Sequence, residues 1–458
     1  MLQATADPPA IPTLLEAARG LARAADDEAA KRAYLDVLSR DATCLEALLE
    51  LARLALRSGH RSAARTAYQQ AIFCHPTEPT ARVNLGNLMI ETGEFEAARA
   101  EFELALASRP ALAAAHQGLA RVLQVLGEPD AAAEHWRQAL ASGALAPQPY
   151  RGAGPGVPVL LLVSAMGGNI PTRALLDDTV FAVTALYAEH HDPGRSLPPH
   201  TVTFNAIGDA DLCGEALRSA GAIVAASGAP AVNPPALVSS TRRVDVADRL
   251  RGLADVVAPR IAAIRRCEPP PADLAFPCLV RSPGFHTGQH FVRVERREDL
   301  VAAIVDLPGE ELLAIEPLDA RGPDGLYRKY RAMLIGGALY PLHLAVSAHW
   351  KVHYFSAAMA DDPAHRAAEA AFLADMSGAI GHRAVVALRA IDAELGLDYA
   401  GVDFAVAPDG RLVLFEANPG MVISPPGPEP MWDYRRAPID RALAAVKAML
   451  LAKADPPQ

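Results

Sequence analysis

A period of 34 residues in the first third of the chain constrains its fold more than any other feature. Gly59, Gly93 and Gly127 lie 34 residues apart, and Pro76 and Pro110 keep the same spacing. Small, aromatic and leucine columns stay in the same register, at Ala64, Ala98, Ala132, Ala71, Ala105, Ala139, Tyr34, Tyr68, Phe102, Trp136, Leu51, Leu85 and Leu119. A period of this length is typical of supersecondary units that stack on a continuous core. We therefore predict an all-α solenoid over residues 1–143.

Each column has a physical role in a helical hairpin. Small residues let two helices approach closely, aromatic residues and leucines fill the space between hairpins, and glycine and proline end the helices. The pattern resembles the tetratricopeptide repeat family over about residues 11–143, with a degenerate first unit that has Asp26 and Ala42 at the signal positions. The resemblance implies a concave face that holds a peptide or protein segment. A stabilising appendage or a dimer interface without a peptide ligand is the alternative.

Composition excludes several classes of function. The chain has 458 residues, enough for two or three domains, and a formal net charge of −10. An acidic chain with scattered basic residues is a poor partner for nucleic acid or an anionic membrane. No apolar run approaches the roughly 18 residues of a membrane span, and the five cysteines form no C-x-x-C pair. We expect a cytoplasmic protein that binds neither nucleic acid nor membrane, and the sequence does not indicate its oligomeric state.

The remainder of the chain has an α/β pattern. Residues 144–158 are rich in glycine and proline and are predicted to be a linker. Strand-like segments at 157–163, 200–208 and 221–228 and a helix-like segment at 241–257 then predict a parallel α/β domain over residues 159–265. Later strand-like segments and a helical stretch predict an α+β domain over residues 266–458. The glycine pair at 167–168 either cradles phosphate or only closes the first strand.

Three oxygen-bearing side chains stand within two apolar strands near the end of the chain: Asp403, Glu416 and Asn418. Carboxylates among Val, Leu and Phe need something to offset their desolvation, and Mg²⁺ on a nucleotide is the simplest offset. If the connecting turn has two residues, Asp403 lies opposite Glu416; a turn with Gly410 as a bulge shifts the register by one and requires a compensating bulge. The alternative is that Glu416 only pairs with an arginine.

The order of polar residues along this half suggests a family. A basic residue precedes a glycine-containing loop, a strand ends in a glutamate, a Lys-x-Arg strand follows, and the carboxylate element comes last: Arg281, Gly284, Gly288, Glu316, Lys329, Arg331, Asp403, Glu416 and Asn418. This order resembles the ATP-grasp superfamily, nearest to its ribosomal-protein glutamate ligase and glutathione synthetase branch, over about residues 156–435. The expected fold is an α/β pre-ATP-grasp domain followed by an α+β ATP-grasp domain.

The resemblance implies a role for each of these residues. ATP would be bound by Arg243, Arg281, Gly284, Thr287, Gly288, Glu316, Pro317, Leu318, Lys329 and Arg331. Arg281, Lys329 and Arg331 would also be catalytic, because cations stabilise a transferred phosphoryl group. Asp403, Glu416 and Asn418 would hold Mg²⁺, as two ions. Arg243 and Arg281 stand where the branch usually has lysines, and Lys329 stands where it usually has an aspartate.

The implied activity is that of an ADP-forming carboxylate–amine or carboxylate–thiol ligase that works through an acyl phosphate. The repeats would recruit a peptide or protein substrate. A polar and aromatic segment after the Arg331 strand is a candidate acceptor pocket with His343, His349, Lys351 and His353. Alternatively, the segment is an amphipathic strand with an exposed polar face, or its three histidines bind zinc. Two other functions stay open: a nucleotide-binding interaction scaffold without turnover, and a small-molecule ligase whose repeats serve only assembly.

Overall fold

The computed structural model of the protein describes residues 10–24, 26–141, 144–266, 268–284, 290–354 and 357–455. The chain divides into two compact units. The first runs up to Gly156 and includes Asp178–Ala182, and the second comprises Val157–Asp177 and the chain from Val183 onwards. None of the described helices is both long enough and apolar enough to cross a bilayer.

The first unit is built from helical hairpins, which confirms the predicted all-helical repeat region. In chain order its described elements are α1 (Ile11–Arg23), α2 (Asp27–Arg40), α3 (Leu45–Arg57), α4 (Arg61–Cys74), α5 (Pro79–Glu91), α6 (Phe95–Ser108), α7 (Ala113–Val125), α8 (Pro129–Ala139) and the short strand β1 (Leu145–Pro147).

The periodic residues occupy the positions that a helical hairpin requires. Gly59, Gly93 and Gly127 have φ angles of 80°, 78° and 80° at the turns between paired helices, a left-handed conformation that favours glycine. The aromatic and alanine columns are buried. Phe102 lies against two helical glycines, and a Cβ atom at Gly118 would come within 2.2 Å of its ring. The periodic glycines therefore allow the tight turns, and the helical glycines allow the helices to pack closely against Phe102.

The degenerate first hairpin has its own turn signal. The Asp26 side chain caps α2 by accepting a hydrogen bond of 3.0 Å from the backbone N–H of Ala29. Tyr34 of this hairpin is 1% exposed, within a core that it shares with Ala18 and Leu54. An aspartate cap thus replaces the glycine turn of the later hairpins.

The second unit contains both helices and strands. Its described elements are β2 (Val157–Val163), β3 (Phe181–Tyr187), β4 (Val202–Asn205), α9 (Gly214–Ser227), β5 (Ala231–Val232), α10 (Pro235–Ser239), α11 (Arg243–Arg251), β6 (Val256–Val257), β7 (Ile261–Arg265), β8 (Cys278–Arg281), β9 (Phe291–Val294), α12 (Leu300–Ala303), β10 (Glu311–Ile315), β11 (Tyr327–Ile335), β12 (Ala338–Ser347), α13 (Pro363–Ala374), α14 (Met376–Leu395), β13 (Tyr399–Val406), β14 (Leu412–Asn418) and α15 (Arg436–Ala454).

The strands of this unit form mixed sheets, which confirms the predicted α/β character. One sheet has the order β3-β2-β4-β5, and β4 pairs in parallel with both β2 and β5. A second has the order β7-β10-β8-β9 with antiparallel pairs. The third has the order β12-β11-β13-β14-β6, in which the last pair is parallel and the others are antiparallel.

One predicted strand is wrong. Residues 221–227 lie in α9, and Gly228, with a φ of 70°, follows as its C-cap. Leu217, Ala220 and Ile223 are buried at helical spacing, and alanine favours helix. A short apolar run without period does not distinguish a strand from a buried helix, and the burial pattern becomes visible only when the preceding residues are included.

Candidate functional site

A cavity of about 930 Å³ lies within the second unit. This volume is in the range of pockets that hold small-molecule ligands. Most of the predicted site residues line it: Arg243, Arg281, Glu316, Pro317, Leu318, Lys329, Arg331, His343, Lys351, His353, Asp403, Glu416 and Asn418. Gly284 and the exposed His349 do not contribute to this lining, and Thr287 and Gly288 lie outside the described residues. The cavity therefore collects side chains that are as far apart in sequence as Arg243 and Asn418.

The β13–β14 hairpin sets the register of the carboxylates. Its loop follows the bulged alternative: Ala407 pairs with Arg411 across three residues, and Gly410 has a φ of 83°. A second irregularity next to Asp403 moves the register back by one residue, so Asp403 and Glu416 are Cα partners. Two bulges together thus place both carboxylates on one face.

Asp403 is 3% exposed and is paired with two cations. The Arg331 guanidinium donates to both carboxylate oxygens, with distances of 2.6 and 2.8 Å, and Lys329 Nζ lies 3.0 Å from Oδ2. Burial on its own would favour the neutral acid, but Arg331 and Lys329 hold the pKa of Asp403 well below its ordinary value. Asp403 is therefore a buried anion with two cationic partners.

Glu416 belongs to a second group of ion pairs. Arg243, at the start of α11, donates to Glu416 Oε1 over 3.0 Å and to Asp211 Oδ2 over 2.8 Å. The Arg281 guanidinium lies near these ion pairs, with its Cζ atom 5.8 Å from the ring centre of Phe291. Burial, and next the charge of Arg243, lower the pKa of Arg281. Cations from α11 and β8 are thus held close together although like charges repel, as expected where an anionic ligand binds.

The donor types of the hairpin fit magnesium. Two carboxylates and an amide oxygen are hard ligands, and a carboxylate that accepts from arginine or lysine keeps further lone pairs for a cation. Asn418 Oδ1 accepts a hydrogen bond of 2.9 Å from the Gly420 N–H. Among the described residues no cluster of three or more His, Cys, Asp or Glu side chains has metal-binding geometry. The predicted set contains only two such residues, with the asparagine as its third member.

The residues Glu316, Pro317 and Leu318, which the resemblance assigns to ATP binding, follow β10. The Glu316 N–H donates to the Arg260 carbonyl, and the Glu316 carboxylate accepts from the Arg260 N–H, both over 2.9 Å. Leu279, Ile315 and Leu414 add apolar surface to the same cavity. Pro317 has no N–H, so of Pro317 and Leu318 only Leu318 has a backbone N–H that could donate to a ligand.

The candidate acceptor residues have different environments. His343 is 7% exposed, and burial, then Arg331, lower its pKa far below the ordinary value. Burial, then Lys329, lowers the pKa of His353 to about 4. Both imidazoles are therefore neutral at pH 7. Lys351 Nζ donates to the Phe291 carbonyl over 3.2 Å. The described residues contain no zinc-like cluster of these histidines.

Sequence reasoning missed several polar residues of this region. Asp211 clamps Arg243, and the fully buried Glu369 on α13 contacts Arg435, which lines the cavity. A signal for Glu369 was present, because this glutamate stands within the alanine-rich run of α13, where a carboxylate needs partners. Asp211 lies in a loop whose sequence has no distinguishing pattern.

Comparison with known proteins identifies the repeats. Residues 49–113 match the family described as Tetratricopeptide repeat, so the N-terminal region contains repeats of this type. The chain matches no curated protein. A crystal structure of MamA is 24% identical with a TM-score of 0.28, covering 30% of this chain and 80% of MamA. MamA 41-end from Desulfovibrio magneticus RS-1 is 18% identical with a TM-score of 0.27, covering 29% of this chain and 75% of that one.

Proposed function

We propose that the second unit is an ATP-grasp ligase that forms ADP and joins a carboxylate to an amine or thiol through an acyl phosphate. The observation that carries the proposal is the pairing of Asp403 with Glu416 across neighbouring strands, on the wall of a cavity that also holds Arg243, Arg281 and Arg331. Binding of a nucleoside triphosphate requires carboxylates that hold a divalent metal ion and basic side chains that contact the phosphate oxygens.

The basic and acidic residues of the cavity would have different roles in this reaction. Lys329 and Arg331 stabilise the charge that develops while a substrate carboxylate oxygen attacks the γ-phosphorus and ADP departs. Arg243 and Arg281 position phosphate oxygens. An amine or thiol then attacks the acyl carbon and phosphate leaves. Asp403, Glu416 and Asn418 would hold the magnesium ions, whose charge offsets that of the phosphates.

The structure determines which variant tests this proposal cleanly. Removing the Asp403 carboxylate leaves Arg331 and Lys329 without their shared buried anion, so lost activity would be confused with lost stability. Glu416 is a better target, because its side chain is 28% exposed and its partner Arg243 keeps Asp211. Glu416→Gln therefore removes a metal ligand at small cost to the fold.

The experiment measures ADP release by full-length protein with ATP, Mg²⁺, hydroxylamine and a pool of carboxylates. We expect the wild type to release ADP and form hydroxamate, and Glu416→Gln to lose at least about 100-fold in rate, as expected for a group that stabilises transition-state charge. Glu394→Gln is the matched control, since this exposed glutamate also pairs with an arginine, Arg249. Equal ADP release by Glu416→Gln and the wild type would refute the proposal.

The repeats are proposed to bind a protein or peptide substrate. Arg53, Asn87 and Arg121 occupy equivalent positions on α3, α5 and α7, one period apart, and Arg121 donates a hydrogen bond to the Asn87 side-chain oxygen. Replacing Arg53 and Arg121 by alanine should raise KM for a protein substrate and leave KM for ATP unchanged. Unchanged KM for the protein substrate would show that these repeat residues do not recruit it, and turnover of small carboxylates alone would favour a small-molecule ligase whose repeats serve assembly.

A non-catalytic scaffold is the second candidate. The observation that favours it is the engagement of Asp403 by both Arg331 and Lys329, which compete with a metal ion for the same oxygens. This candidate predicts that ATP raises the melting temperature of the second unit without ADP release in any mixture of carboxylates and nucleophiles.

A further inference from the structure

A second ionic cluster lines the cavity beside Arg331. Arg435 is the last residue of a 3₁₀ helix, Pro430–Arg435, that leads into α15. Its side chain is 11% exposed and lines the cavity. The guanidinium carbon lies 4.5 Å from the ring centre of Tyr354, and Nε lies 3.4 Å from Oε1 of Glu369. Arg435 is therefore a positioned cation in the cavity wall.

Glu369 forms an ion pair with Arg435 and also accepts hydrogen bonds from three other groups. The Tyr354 hydroxyl donates to Oε2 over 3.1 Å, the Tyr434 hydroxyl donates to the same oxygen, and the Leu344 N–H donates to Oε1 over 3.4 Å. A guanidinium has five N–H donors in a planar fork, and the shortest distance from Arg435 to Glu369 is the 3.4 Å from Nε. The terminal nitrogens of such a fork match the two oxygens of a carboxylate.

His343 adds an independent observation to this wall. Its Nδ1 atom is buried and has no hydrogen-bond partner among the described residues. The ring lies 4.8 Å from that of Tyr354, and His343 is the cross-strand partner of Arg331. A buried polar atom without a partner is uncommon, and because His343 lines the cavity, a polar group of a ligand is one partner that would satisfy it.

We propose that Arg435 and His343 bind a substrate carboxylate that is not consumed in the reaction. The inference rests on the proposed function, in which Arg331 stands at the carboxylate that is phosphorylated. The unconsumed carboxylate comes either from a dicarboxylic acid or from the α-carboxylate of an amino-acid nucleophile. In both cases Arg435 supplies the charged fork and His343 supplies a neutral hydrogen-bonding nitrogen, and contacts with Glu369 and Tyr354 position Arg435.

The test measures binding to full-length protein by isothermal titration calorimetry without ATP. The dicarboxylate arm uses succinate, glutarate and adipate, the amino-acid arm uses L-glutamate and L-alanine, and butyrate is the monocarboxylate reference. We expect one arm to bind at least about tenfold more tightly than butyrate, and Arg435→Met to weaken that binding by about ten- to a hundredfold, as for a lost charged hydrogen bond. Arg435→Lys should recover only part of it, because lysine lacks the fork.

Controls keep the outcome interpretable. Arg441→Met changes an exposed arginine of α15, the helix that follows Arg435, and should bind as the wild type does. If circular dichroism shows that Arg435→Met does not fold, His343→Asn takes its place, with a smaller loss expected. Failure of the wild type to bind any of these acids, or unchanged binding by the Arg435 or His343 variant, would overturn the inference. ADP release is measured separately, so carboxylate binding without turnover would refute the ligase and leave the subsite standing.

Discussion

Replacing Asp403 by asparagine should destabilise the second unit far more than an exposed aspartate variant of the same hairpin. The substitution keeps the size of the side chain and removes the anion that Arg331 and Lys329 share. The side chains of these three residues are 4%, 20% and 13% exposed, in the order Asp403, Arg331, Lys329. Removing one partner of a buried ion pair costs about 3–5 kcal/mol, because the remaining charge stays desolvated. At about 2–4 °C per kcal/mol, the expected loss is about 6–20 °C in the melting temperature of this unit.

The assay is differential scanning calorimetry of the wild type and Asp403→Asn, with Asp409→Asn as the control. Asp409 is 49% exposed and pairs with Arg411 on the hairpin tip, so its loss should leave the melting temperature almost unchanged. In a double-mutant cycle with Arg331→Gln, the double variant should lose less stability than the sum of the losses measured for the two single variants. Melting of Asp403→Asn within about 2 °C of the wild type would refute the reasoning.

The same residue predicts a pH dependence. The folded pKa of Asp403 lies well below its ordinary value of 3.8, so the unfolded state binds the proton first as the pH falls. The contribution of the ion pair is present above pH 3.8 and is lost as the pH falls towards the folded pKa. The difference in melting temperature between the wild type and Asp403→Asn should therefore shrink below pH 3.8. A constant difference would contradict this assignment.

Two further predictions concern the repeats. Gly118→Ala should destabilise the first unit by about 1–3 kcal/mol through overpacking against Phe102, whereas Gly20→Ala, which meets nothing within 4 Å, should be neutral or stabilising; equal melting temperatures for the two variants would contradict the packing argument. His135 lies 2.8 Å from His116 between their Nδ1 atoms, and burial, then His116, lowers the pKa of His135 below 6.5. Because the unfolded state then binds a proton more readily than the folded state, the free energy of unfolding should fall as the pH drops below 6.5. His135→Gln should therefore make the stability less dependent on pH in this acid range. Parallel pH profiles for the variant and the wild type would refute this.

The sequence predicted local features of the site better than its contacts. The apolar strands around Asp403 and Glu416 were evident, and both possible loop geometries were foreseen. The structure has the bulged loop together with the compensating irregularity, because packing on both faces of β13 determines the register in a way that turn residues alone do not. Arg435 and its support by Glu369 were not predicted, since their contact spans 66 residues and no periodic pattern connects them.

By itself, the 34-residue period determined the helical repeats, because each hairpin repeats the same local contacts between residues close in sequence. The alternation of strands and helices likewise determined an α/β region. Only the tertiary structure decided which charges share a cavity: Arg243 reaches Glu416 across 173 residues, and Arg331 reaches Asp403 across 72. Such contacts depend on how strands are ordered in a sheet, and this order follows from burial of the whole core, which local sequence does not encode.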